Sequence, residues 1–366
     1  VINLADTIYI KGESALIEIG FQGESSDKTH VSTAATPTVT LAYLQSMNIT
    51  PNENVTSNRF VGVGAGGRSR VSAGVIKKNH ECTANMSFWV AKDLNQTTPM
   101  GVWLLKMPID SSDTEGVGDP ADTNTVPDTA DEYGDDDLMT MTIEAGYVGS
   151  TVHLLTGCIV NRATFHAEEK TECLWTYEML VHKAEKATAF SVGTLVEATE
   201  YPFTWGDVQV KYGDAGAAAA FDNVRMIEFI IENNIDPLYD LNNVASTRYL
   251  TGYIPGLRNI TGTMRIDLTT ATENGQDLWE DFYNDASGTA TPTEGVVLKD
   301  IIITLYQSAD YSIVYTLHDV VIQDLPDDIV GSGVPQITVG FTATNVVLAH
   351  KTLAAAEAPT GWREST

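Results

Sequence analysis

The chain has 366 residues, enough for two domains of ordinary size, and 43% of them are hydrophobic, enough for a real core. Its 49 acidic residues face only 21 basic ones, a net charge of -28, which argues against a nucleic-acid binder built on Lys and Arg contacts and against docking on anionic membranes. Three scattered cysteines, Cys82, Cys158 and Cys173, with no CxxC, make neither a disulfide framework nor a zinc site.

Charge of this size repels itself unless salt screens it, and at molar salt the Debye length falls to about 3 Å. The composition is therefore read as an adaptation to high salt. Val1–Asp6 shows neither the basic region nor the apolar region of a secretory signal. No run of about 18 apolar residues is present to span a membrane.

In chain order, Thr7–Lys11 and Ala15–Phe21 read as strands, being rich in β-branched and aromatic residues. Gly62-Val63-Gly64-Ala65-Gly66-Gly67 matches GxGxxG as text. No buried parallel strand precedes it and no helix pattern follows, so it reads as a flexible loop. Met86–Ala91 is a further strand, and Met100–Met107, with Trp103 and Leu104, a short helix. Ile109–Asp137 is a long acidic stretch, free of Lys and Arg, that reads as a surface loop. Strands follow over Gly157–Ala167 and Thr171–Val181. Within Cys173–Val181 the odd positions are apolar, the alternation of a half-buried antiparallel strand. Asp214–Phe221 is Ala-rich and reads as a small flexible insertion. Gly275–Asn284 carries Leu278, Trp279, Phe282 and Tyr283 at helical spacing. Ile301–Tyr306, Tyr315–Asp324 and Ile337–Ala343 are strands, and Leu353–Thr366 an exposed arm.

The order of these features repeats. Asn48-Ile49-Thr50-Pro51 returns as Asn234-Ile235-Asp236-Pro237, each after an apolar segment. Thr83–Phe88 aligns with Thr261–Ile266, placing Met86 against Met264, and Trp103 aligns with Trp279. Each half then closes with two long strands. The expected fold is mainly β with minor α: a duplicated β-sandwich or rolled sheet, each half carrying one short flanking helix. The halves are 1–188, with the acidic insertion 109–137, and 189–350, followed by an arm over 351–366.

No catalytic constellation emerges. His80-Glu81-Cys82 offers three ligand types, but strand neighbours alternate faces and do not converge on one metal. There is no HExxH and no GxSxG elbow. Asp135, Asp136 and Asp137 are hard oxygen donors and the one weak cation candidate, although the EF-hand spacing is missing and a solvated acidic run is the plainer reading. No cofactor is expected. Buried free thiols are expected for the cysteines; Cys158 and Cys173 could meet across adjacent strands, which spacing alone does not decide.

Strand Ala15–Ile19 runs into Gly20-Phe21-Gln22-Gly23-Glu24-Ser25, and Thr33-Ala34-Ala35-Thr36-Pro37-Thr38 follows. This opening resembles that of the tail tube family of long-tailed, siphovirus-like viruses, with Ser32 where the family has Gly. The glycine-rich loop with Arg68 and Arg70, the stretch Arg70–Gly74 leading to Glu81–Val90, and the closing pair Gly157–Asn161 and Thr176–Val181 are similar to the later parts of the same family. The resemblance implies a non-enzymatic virion protein that self-assembles into stacked rings. These form the tail tube through which genome DNA is ejected without specific binding. It implies homotrimeric, pseudo-sixfold rings from a duplicated unit, with tape measure and tail terminator proteins as further partners. Together with the charge it implies a virus of a halophilic archaeon. The rival readings are another virion or cell-surface structural protein, such as a capsid decoration protein or an adhesin, and a halophilic secreted hydrolase using a carboxylate pair.

Overall fold

The computed structural model describes residues 15–22, 39–40, 43–58, 74–91, 104–109, 138–147, 152–191, 196–197, 201–239, 250–267, 278, 298–308, 311–324 and 336–351, apart from positions 106, 139, 188, 215, 222 and 251. The strand expected at Thr7–Lys11, the Gly62–Gly67 loop, the acidic stretch beyond Ile109, the bulk of both expected helices and the arm Leu353–Thr366 lie outside these residues.

The described chain is almost entirely strand. The first half supplies β1 (Ala15–Gln22), β2 (Val39–Thr40), β3 (Leu44–Asn58), β4 (Gly74–Trp89), β5 (Thr140–Tyr147), β6 (Val152–Glu168) and β7 (Leu174–Ala187). The second supplies β8 (Val196–Glu197), β9 (Val208–Gly213), β10 (Ala219–Ala220), β11 (Val224–Glu232), β12 (Asp236–Leu238), β13 (Gly252–Ile254), β14 (Asn259–Asp267), β15 (Lys299–Ser308), β16 (Tyr311–Asp324), β17 (Gln336–Ala343) and β18 (Asn345–Lys351). β7 shows why these segments are strands. Trp175, Tyr177, Met179 and Val181 are buried on one face, while Glu178 between them is exposed. Each such buried side chain stabilises the fold by about 1.5–3 kcal/mol. A one-residue slip would turn the whole set to water, so the register is firmly fixed.

In the first half the antiparallel order is β2-β1-β5-β6-β7-β4-β3. In the second it is β10-β9-β15-β16-β17-β14-β11, with β18 continuing β17 along the earlier part of β16. Each pairing of one half thus has a counterpart in the other, down to the irregularities. The β5–β6 register shifts between Met141↔Cys158 and Ile143↔Leu155, and the β15–β16 register between Lys299↔Val320 and Ile301↔Leu317. The residues that absorb these shifts, Gly157 and Asp319, both have left-handed backbones, with φ of 62° and 50°. A second bulge follows Val160 on β6 and Ile322 on β16. The distal end of the β3–β4 hairpin (Thr56↔Ile76 to Asn58↔Gly74) is matched by the small β12–β13 ladder (Asp236↔Ile254 to Leu238↔Gly252).

Thr83–Phe88 and Thr261–Ile266 hold the same place in β4 and β14: Met86 faces Tyr177 of β7 and Met264 faces Val339 of β17. The Asn-Ile-x-Pro match does not survive. Asn48–Pro51 lies inside β3, opposite Asn85–Cys82 of β4, whereas Asn234–Pro237 begins after β11 has ended and runs into β12. The segment of β11 in the position of Asn48–Pro51 is Glu228–Ile231.

One hydrophobic core runs through both halves. Trp175, Tyr177 and Phe165 of the first half pack with Phe229 and Tyr315 of the second at ring-centroid distances of 5.2–5.8 Å. Leu104, Leu105 and Leu278 are helical and buried in this core, where the two flanking helices were expected. Tyr177 donates its hydroxyl to the Leu104 carbonyl at 2.8 Å. The Ala-rich segment is a tight hairpin rather than a flexible insertion. Ala217 N–H donates to the Asp214 carbonyl, Ala219 and Ala220 pair with β9, and Phe221 anchors the turn against Tyr212. Cys82, Cys158 and Cys173 are buried and form no disulfide. Cys158 and Cys173 do not face each other: Cys158 on β6 and Cys82 on β4 flank Val181 of β7 from opposite sides, and Cys173 precedes β7.

Candidate functional site

The candidate site is the solvated face of the sheet formed by β3, β4, β7, β6, β11, β14 and β17. Since strand side chains alternate, the residues between the core positions all point away from the core. β4 contributes Thr83, Asn85 and Ser87; β7 Thr176 and Glu178; β14 Thr261 and Thr263; β17 Thr338 and Thr342. Neighbouring hydroxyls meet directly, Ser87 Oγ lying 3.0 Å from Thr176 Oγ1. Most of this surface is therefore neutral and hydrogen-bonding.

Charge is concentrated where the halves join. There β6 pairs with β11, from Arg162↔Glu232 to Glu168↔Met226. Arg162 forms ion pairs with Glu178 at 3.6 Å and Glu232 at 3.5 Å. His166 Nδ1 lies 3.0 Å from Glu228, and Arg265 donates to Glu168 at 2.7 Å. The hydrogen bond from Arg265, helped by its charge and by His166, holds the Glu168 carboxyl below the ordinary range. Arg225 donates to the buried Asp267 at 2.6 Å and reaches Glu169 at 3.4 Å; its guanidinium pKa is raised chiefly by the Asp267 hydrogen bond.

Two asparagines lock one end of the seam. Buried Asn233 donates its amide to the carbonyls of Val160 and Pro108 at 3.0 and 3.1 Å and accepts from Arg258 at 3.0 Å. Asn161, the bulged residue of β6, accepts the Ile235 N–H on its side chain and the Asn233 N–H on its carbonyl, both at 2.8 Å.

Among the described residues no group of three His, Cys, Asp or Glu side chains is placed to hold a metal. The cation candidates Asp135, Asp136 and Asp137 lie outside the described residues. Glu81 and Cys82 are neighbours on β4, with Cys82 buried; burial pushes its thiol up to about 11. The seam charges were not singled out from the sequence. Their signal was available in the alternation of Arg162, Thr164, His166 and Glu168 with Ala163, Phe165 and Ala167.

Among the described residues the arrangement offers a long hydroxyl-rich sheet face and a strand seam. The sequence over residues 98–343, about two thirds of the chain, matches the family model described as phage tail tube protein. The chain belongs to that family. It is a structural, non-enzymatic tail tube protein of the virion tail. The search of curated proteins found no match. Among solved structures, the tail tube protein is similar to the SPP1 tail tube, solved by solid-state NMR and cryo-EM: 14% identity, 45% of this chain and 91% of that one, TM-score 0.32. It is also similar to the tube-terminating cap of the anti-feeding prophage, at 15% identity over 41% of this chain and 93% of that one, TM-score 0.28. A third is the sheath/tube terminator of an extracellular contractile injection system, at 17% identity over 41% and 99%, TM-score 0.27.

Proposed function

We propose that the tail tube protein assembles as homotrimeric rings in which every chain contributes two tube units, 1–188 and 189–350, to a pseudo-sixfold whole. The observation that carries this reading is the repeated pairing order, with left-handed bulges at Gly157 and Asp319. A duplicated unit joined head to tail closes into a ring when the step between units is constant. The hydroxyl-rich face lines the bore, because the opposite face is committed to the core. Among the described residues, its cations Arg162 and Arg265 are held by carboxylates, which leaves little positive charge at the seam to retain phosphate as genome DNA passes.

Rings stack into a tube of the long, siphovirus-like kind, capped by a tail terminator and filled during assembly by a tape measure protein. The net charge of -28 suits a virus of a halophilic archaeon, whose salt screens repulsion between rings. Leu353–Thr366 reaches an adjacent ring, and its deletion is expected to leave rings that do not stack.

Negative-stain electron microscopy of the purified protein in molar salt and in low salt tests the reading. Hollow tubes or stacked rings in molar salt, lost on dilution, are expected. Dispersed monomers at both salts would overturn it.

A further inference from the structure

Buried polar side chains gather in one place. Glu18 of β1, Thr140, Thr142 and Glu144 of β5 and Thr156 of β6 are five of the ten buried polar or charged residues among the described ones, and none keeps more than 5% of its surface exposed. On β1 and β5 they alternate with core residues such as Ile19 and Ile143, so they look out of the opposite face of the sheet. Thr156 sits at the β6 bulge, beside Thr142. Every side-chain polar atom in the group is an oxygen.

Glu18 and Glu144 stand directly opposite each other. Their Cβ atoms are therefore about 5 Å apart, and both carboxylates reach a common point between the strands. Glu144 accepts the Ser191 N–H at 2.6 Å and the Ser191 hydroxyl. Glu18 Oε2 is buried without a partner, as is the Thr140 hydroxyl further along the same face of β5. Among the described residues no Lys, Arg or His pairs with either acid. Two like charges held together out of water are costly unless an opposite charge joins them.

The second half shows the same ladder with cations supplied by the protein. Gly20↔Thr142 and Gly213↔Asp300 are equivalent pairs. Two residues along, Lys211↔Ile302 replaces Glu18↔Glu144. Asp300 and His318 hold the places of Thr142 and Thr156, and Asp300 has His318 Nδ1 at 3.2 Å. The facing acids are thus particular to the first half and not a requirement of the ladder.

We propose that Glu18 and Glu144 clasp a divalent cation of the calcium class, with the hydroxyls of Ser191 and Thr142 and ordered water completing its shell. Oxygen donors of this kind suit hard ions. One divalent ion neutralises both carboxylates at once, where a proton or a monovalent ion neutralises one. Calcium tolerates the irregular geometry of two facing strands, whereas magnesium demands a near-ideal octahedron and keeps several waters. The ion fastens β1 and β5 to Ser191, on the connection between β7 and β8 by which the chain passes from one half to the other. The site does not depend on the ring reading. In the ion-free chain a proton on Glu18 has to relieve the pair instead, so acid competes with the ion.

Calcium binding by the full chain tests the site, in molar KCl to screen the diffuse attraction of 49 acids for any cation. Isothermal titration with CaCl2 is expected to find a single saturable site per chain. Calcium should raise the thermal unfolding midpoint by several degrees over the same sample in EGTA, and MgCl2 should raise it less. Glu18→Gln should lose both the site and the shift. Glu172→Gln, which removes an exposed acid elsewhere, should keep both. No saturable binding to the wild-type chain, or a calcium shift equal in the wild-type and Glu18→Gln chains, would overturn the site. A magnesium shift as large as that of calcium would overturn the choice of ion.

Discussion

Trp175 donates its indole N–H to the phenol oxygen of Tyr315 at 3.0 Å, joining β7 of the first half to β16 of the second across 140 residues of chain. Both side chains are fully buried. Burial raises the Tyr315 pKa far above its ordinary value, so the phenol remains protonated at any working pH.

Tyr315→Phe keeps the ring and removes the acceptor, stranding the Trp175 N–H in the core. The expected cost is about 1–3 kcal/mol. Because the pair spans both halves, denaturant unfolding of the unassembled chain should stay a single transition that moves as a whole. Two separated transitions, only one of them shifted, would show that the halves unfold independently.

Gly262 of β14 lies under the ring of Phe341 on β17. A Cβ at this glycine would come within 2.3 Å of Phe341 Cζ and 2.6 Å of the Glu228 carbonyl oxygen. In the first half the same cross-strand pair is Ala84 with Met179. Gly262→Ala should therefore destabilise by about 1–3 kcal/mol through overpacking. The double variant with Phe341→Met should cost less than the two single changes added together. Additive costs in a double-mutant cycle would show that the two positions are not matched to each other.

Glu18 of β1 sits opposite Glu144 of β5, both buried. Glu144 accepts the N–H of Ser191 at 2.6 Å and the Ser191 hydroxyl, whereas one carboxylate oxygen of Glu18 is buried without a hydrogen-bond partner. Desolvation, and then the charge of Glu144, raise the Glu18 pKa above 4.5. The folded state thus binds this proton more tightly than the unfolded chain. Stability is fullest below the ordinary carboxylate pKa and declines as pH rises through the raised one. Glu18→Gln removes the penalty and should stabilise at pH 7, an advantage that shrinks towards pH 4 in denaturant titrations. An equal advantage at both pH values would mean that the carboxylate charge is not its cause.

Gly157 and Asp319 occupy one left-handed bulge position in two copies of the same ladder. Gly157→Ala should cost about 1–2 kcal/mol in urea unfolding, the penalty of a Cβ in the left-handed region. Gly157→Asn should cost less than Gly157→Ala, since a short polar side chain tolerates that conformation. A larger cost for Asn would show that space at this buried position, rather than backbone angle, sets the preference.

The strands were legible wherever one face packs the core. Cys173–Val181 alternates in the structure as it does in the sequence, and Met86 with Met264 marked equivalent strands because core side chains cannot shift by one residue without exposing the set. Asn-Ile-x-Pro misled for the opposite reason. On β3 it spans solvated as well as core positions, and the solvated ones have diverged freely: Asn48 and Thr50 stand where β11 has Glu228 and Ile230. The β6–β11 seam was not legible. Arg162 and Glu232 are far apart in sequence, and no local period records which strand a given edge will meet.

A chain that carries one seam internally changes the order of its own assembly reaction. The β6–β11 joint forms during folding at a rate independent of protein concentration, because a tether fixes the effective concentration of its two strands. On the trimeric ring proposed above, two encounters between molecules precede closure where six separate units would need five, and ring formation depends correspondingly less steeply on protein concentration.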